Sequence, residues 1–142
     1  MISSSPTVLV FFSVVAVQEL VLIGIHVDPD DVVIELDALV DVHTAVKQHW
    51  NTDNILIMGD LNADCTYISP PQLNNIKLRE DPPFTWLIGD DADTTTSPNT
   101  NCAYDRCVGY LHTPNISCQA LLLVHTVSQK VSPLMFDNNS NW

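Results

Sequence analysis

The sequence predicts an α/β fold, and three observations carry that prediction. Residues 8–17, 19–27 and 55–59 are apolar runs rich in Val and Ile, the composition of strands. Residues 30–50 repeat apolar side chains at a helical period. The run Ile55–Gly59 is continuous rather than alternating, the pattern of a strand buried on both faces of a layered domain.

Val8–Val17 has the length of a signal-peptide apolar core, but no basic residue precedes it and it is too short to span a bilayer. On its residues alone it reads as either a leader or a strand. Glu19–Val27 reads as a strand that delivers His26 at its end, with Val27-Asp28-Pro29 as the break. The helix follows, with Asp30 as N-cap and Asp31 and Glu35 in or near the first turn, where the dipole favours acids. Leu36, Leu39, Val40, Ala45 and Val46 fall on one stripe, and Asp37, Asp41 and Lys47 fall off it. After Ile55–Gly59, Pro70-Pro71 opens a short helix reaching about Arg79, and Pro82-Pro83 stops it. Phe84–Ile88 reads as a strand, 89–101 as an acidic, Thr-rich loop, and Ala103–Tyr110 as a further strand. One domain is expected over residues 8–110. Residues 111–142, with weak strand signals in Leu121–Val127 and an Asn-rich end, form a divergent segment.

An apolar fraction of 46% argues against disorder. Five basic against 17 acidic residues give a formal charge of −12, the wrong sign for a partner bound by direct phosphate neutralisation. Divalent cations can bridge an acidic protein to an anionic substrate. The four cysteines form no C-x-x-C pair and no Cys/His cluster of the kind that holds zinc. Cys107 and Cys118 could form a short bridge or remain thiols. Asn115-Ile-Ser and Asn138-Asn-Ser are glycosylation acceptors if the chain is exported.

The stretch Met58-Gly59-Asp60-Leu61-Asn62 carries the chemistry. Alternate side chains of an extended chain share a face, so Asp60 and Asn62 are expected to project together. A carboxylate can hold a cation or a proton, and a neutral amide can hold a phosphate oxygen. That pairing suits phosphodiester hydrolysis. Taken singly, Asp and Asn after a strand are ordinary turn residues, and a His at a strand end is ordinarily a surface group.

The order of motifs adds to this. A strand ending in His26, a helix, and a strand ending in Gly59-Asp60-Leu61-Asn62 are followed by Asp93-Thr94-Thr95 and Cys102-Ala103-Tyr104-Asp105-Arg106. This order resembles the deoxyribonuclease I family over about Phe11–Arg106. The resemblance implies part of a four-layer α/β sandwich, makes Val8–Val17 an internal strand, and implies hydrolysis of DNA dependent on Mg2+ and Ca2+. It makes His26 the general acid on the departing oxygen and Asp60 a metal or water-positioning carboxylate. It makes Asn62 a ligand to the scissile phosphate and Asp105 a member of the catalytic pocket. Tyr67 matches a loop position facing the minor groove, and Asp93 and Thr95 match a structural calcium site. Cys65 and Cys102 match a disulfide. Arg106 is expected to be a salt-bridge partner, while Asp64, His43, His49, His112 and His125 receive no role.

The family's domain is considerably longer, and its two catalytic Glu residues and second catalytic His have no counterpart here. The chain is therefore expected to be partial and impaired in catalysis. A non-catalytic paralogue that binds DNA or protein, or a gene-model fragment, is the alternative. By the same resemblance the partner is DNA, contacted through metal, with no membrane association. The location is the secretory pathway, with the nucleus as alternative.

Overall fold

A computed structural model describes residues 6–14, 17–80 and 84–110. Two antiparallel strands come first, β1 (Thr7–Val14) and β2 (Val17–Gly24), followed by the long helix α1 (Val32–Trp50) and strand β3 (Ile55–Asp60). Short helices α2 (Pro70–Asn74) and α3 (Lys77–Glu80), a two-residue strand β4 (Thr85–Trp86) and strand β5 (Asp105–Tyr110) complete the order. The strands form one sheet in the order β1-β2-β3-β5-β4. β2 and β3 run parallel through the α1 crossover, and β5 returns antiparallel beside β3. The α/β class expected from the sequence is therefore present.

The core lies between one face of the sheet and the helices. Val21, Ile23, Ile25, Ile55, Ile57 and Val108 pack with Leu36, Leu39 and Val46 of α1 and with Leu73 and Leu78 of α2 and α3. Side chains of the opposite parity, Leu20, Leu22, Leu56 and Cys107, are buried too, as a continuous apolar strand requires. Gly59 at the end of β3 has φ +139°, and a Cβ there would sit 2.0 Å from the Ile25 carbonyl oxygen. Only glycine lets β3 pass this close to the segment after β2.

Several sequence expectations shift. The N-cap position belongs to Asp31, whose side chain makes no cap bond, while the Asp30 amide donates to Asp28 Oδ1. On α1, Ala45 is exposed and His43 is buried, because the buried stripe runs through Val32, Glu35, Leu36, Leu39, His43 and Val46. The helix expected to reach Arg79 is two short helices. The Asn75 amide bonds back to Gln72 and closes the first, and Arg79 and Glu80 bond to Ile76 and open the second. The strand expected over Phe84–Ile88 is reduced to Thr85–Trp86, with the Leu87 amide adding a bond to the Cys107 carbonyl, and that expected over Ala103–Tyr110 begins only at Asp105. The segment 111–142, with Leu121–Val127, His112, His125 and both glycosylation triplets, lies outside the described residues.

Candidate functional site

β2 and β3 are parallel, so both deliver their C-terminal ends to one edge of the sheet. His26 lies two residues beyond β2, and Asp60 is the last residue of β3. Asp105 is the first residue of β5 and is the register partner of Asp60. His26 Nε2 stands 3.8 Å from Asp60 Oδ2, and the two side chains remain 73% and 35% exposed. This convergence acts on Asp105. Partial desolvation and the negative charge of Asp60 raise its carboxyl above the usual range, with His26 opposing. Two carboxylates at facing register positions beside an imidazole suit a hard divalent cation bound through oxygen. An open cavity of about 320 Å3 adjoins them, lined by Asp60, Asp105, Tyr104, Thr94, Thr95 and Thr100 among others.

Asn62 departs from the expected shared face. The strand ends at Asp60, Asn62 has φ +46°, and period-two alternation does not continue past it. Asp60 Oδ1 accepts the Asn62 backbone amide at 3.0 Å, and Asn62 is 5% exposed. Its Nδ2 donates to the Val27 carbonyl at 2.8 Å. Asn62 thus braces the segment that carries His26, while Asp60 alone of the pair faces the cavity.

The 93–105 loop is folded onto this edge. Asp93 Oδ1 accepts from the Thr95 amide at 3.0 Å and the Thr95 hydroxyl at 2.7 Å. These bonds hold the Asp93 carboxyl below its ordinary range. Thr95 lines the same cavity as Asp60. Thr94, to which the sequence assigned nothing, receives the Asp105 amide on its hydroxyl at 3.0 Å and so fixes the start of β5. Asp64 also proves structural, because its Oδ2 accepts the Ala103 amide at 2.8 Å. The Cys65–Cys102 disulfide joins the same two segments, with Cα atoms 5.9 Å apart. Cys107 is likewise disulfide-bonded, and Cys118 lies outside the described residues.

Tyr67 is 42% exposed, and its ring packs against Tyr104, a residue of the cavity lining, with centroids 5.2 Å apart. Arg106 is buried rather than presented to the cavity. Its guanidinium donates to the carbonyls of Ala103, Ile88 and Ala63 and to Asp90. Partial burial raises the Asp90 carboxyl, but hydrogen bonds and charge from Arg106 and Arg79 outweigh it and hold the group below its usual value. No helix among the described residues is long and apolar enough to cross a membrane.

The endonuclease/exonuclease/phosphatase family matches residues 3–127. Deoxyribonuclease gamma of Mus musculus is 48% identical over 107 residues, which are 75% of this chain and 34% of that protein. Deoxyribonuclease gamma of Homo sapiens is 50% identical over 93 residues, 66% of this chain and 30% of that protein. Deoxyribonuclease-1 of Homo sapiens is 45% identical over 104 residues, 72% of this chain and 36% of that protein. The chain thus spans about a third of the length of the curated relatives it matches.

Proposed function

Because the chain belongs to the endonuclease/exonuclease/phosphatase family, we propose that it carries part of a divalent-metal-dependent endodeoxyribonuclease centre, with DNA as its substrate. The observation that carries the reading is the meeting of His26, Asp60 and Asp105 at one sheet edge. Asp60 and Asp105 hold the catalytic cation, Mg2+, which offsets charge on the phosphate when bound. His26, exposed and beside Asp60, donates a proton to the oxygen that leaves phosphorus as water attacks. Asn62 keeps the His26 backbone in place, and the second hydrogen of its amide is what it has left for a phosphate oxygen. Tyr67 meets the DNA groove.

Asp93 and Thr95 hold a structural Ca2+ in this reading. A carboxyl kept ionised by its own loop, next to a hydroxyl, has the oxygen chemistry that calcium takes. With a net charge of −12, the chain depends on these cations to meet a polyanion. The Cys65–Cys102 disulfide supports an oxidising compartment and therefore export.

A supercoiled-plasmid nicking assay with Mg2+ and Ca2+ tests the proposal. Weak nicking is expected, lost on chelation and in Asp60→Ala. Nicking indifferent to both would overturn it. So would the absence of nicking together with DNA binding that ignores the cations.

A further inference from the structure

Glu35 is fully buried on α1, one turn into the helix. Burying a carboxyl is unfavourable unless it is hydrogen-bonded. An acid whose purpose was to complement the helix dipole would work equally well from the surface. Glu35 instead turns inward, and its Oε2 accepts the backbone amide of Asp28, seven residues earlier, at 3.0 Å. Asp28 is two residues beyond His26.

The backbone just after His26 is hydrogen-bonded at four successive groups. The Val27 amide donates to the Asp60 carbonyl at 2.9 Å, and the Val27 carbonyl accepts Asn62 Nδ2. The Asp28 amide is taken by Glu35, and the Asp28 carbonyl accepts the Asp31 amide at 3.1 Å. Ile25 and Val27 on either side of His26 are buried, so the exposed imidazole projects from a backbone fixed on both flanks. Two side chains complete that fixation: Asn62 from the end of β3 and Glu35 from α1.

We propose that Glu35 is a positioning residue that holds the His26 segment so that the imidazole stays over Asp60. The inference rests on the functional reading above for its significance, because His26 and Asp60 are the groups that reading uses. The arrangement can be measured without cleavage. A backbone released at Asp28 would keep the fold, since α1 is anchored by Leu36, Leu39 and Val46, but would let the imidazole leave Asp60.

The test compares Glu35→Gln, which retains an acceptor oxygen, with Glu35→Met, which has similar length and no acceptor oxygen, in the full chain. Two quantities are read by NMR: hydrogen exchange of the Asp28 amide, and the change in His26 ring resonances produced by Asp60→Asn in each background. Glu35→Gln should keep both near wild type. Glu35→Met should speed Asp28 exchange by about tenfold to hundredfold and abolish the response of His26 to Asp60→Asn, while exchange at Leu39 and Val46 is unchanged. An apolar side chain in place of a buried carboxyl is often tolerated or stabilising, so a purely structural role predicts at most the faster Asp28 exchange and leaves the response of His26 to Asp60→Asn intact. The idea is overturned if Glu35→Met leaves the response of His26 to Asp60→Asn as in the wild type, whether or not Asp28 exchange changes, or if wild-type Asp28 exchanges as freely as an unprotected amide. Neither readout uses a cation or DNA, so the role of Glu35 can be decided even in a chain inert towards DNA.

Discussion

Arg106→Met should be among the most damaging single substitutions outside the apolar core. The guanidinium is fully buried and donates at 2.6 Å to the Ala103 carbonyl, 2.9 Å to Ala63, 3.1 Å to Ile88 and 2.7 Å to Asp90. Those acceptors belong to three segments: the 60–65 turn, the loop after β4 and the entry to β5. Methionine fills much of the arginine stem but offers no donor. Ala63 and Ala103 are fully buried, so water cannot easily replace the lost bonds. Each such carbonyl costs about 1–2 kcal/mol when left unpaired, and the half-buried Ile88 carbonyl less. Asp90 is 53% exposed and keeps its bond to Arg79, so its share is small. The sum is about 3–5 kcal/mol, which for a domain of this size lowers the melting temperature by roughly 15 °C or more. Arg106→Lys should recover only part of this, because a point charge cannot reproduce the planar fork. Thermal melts followed by circular dichroism measure it. A melting temperature for Arg106→Met within about 3 °C of wild type would show that these segments are not held together by this side chain.

Other outcomes follow from single features. His43 is buried against Phe84, and burial, with Lys47 nearby and Asp53 opposing, lowers its basicity on folding. The unfolded chain therefore binds the proton more readily. Stability should decline as pH drops below about 6.5, and His43→Phe should flatten the melting-temperature profile; parallel profiles would contradict this. Gly59→Ala drives a Cβ to 2.0 Å from the Ile25 carbonyl oxygen at φ +139°, so little folded protein should be recovered, and a cooperative melt near wild type would refute the argument. Replacing both Cys65 and Cys102 by Ser opens a loop of 37 residues. Urea titration should then show a loss of about 4 kcal/mol in the chain-entropy model, and an unchanged midpoint would count against it.

The parts legible in the sequence are those set by local pattern. Ile55–Gly59 announced a strand buried on both faces, residues 30–50 a helix, and the order of His26, Asp60 and Asp105 their convergence at the ends of neighbouring strands. What stayed hidden depends on contacts distant in sequence or on a single backbone angle. Asn62 was placed beside Asp60 by alternation, but its positive φ turns the amide inward to Val27. Glu35 read as a first-turn acid because nothing in its neighbourhood signals a bond to the Asp28 amide. Ala45 and His43 exchanged places because an apolar count cannot tell that the α1 stripe passes through a histidine lodged against Phe84. Thr94 and Asp64 bond backbone groups distant in sequence, among them amides eleven and 39 residues away, and no side-chain motif records such bonds.

If Asp60, Asp105 and His26 form one cation-dependent centre, titration of the full chain with Mn2+, followed by paramagnetic broadening in NMR spectra, reveals it directly. The signals of Gly59, Asp60 and Arg106 and of the His26 ring should broaden together, and Asp60→Asn should abolish the effect. Broadening that survives Asp60→Asn, or that spares the His26 ring, would contradict the account.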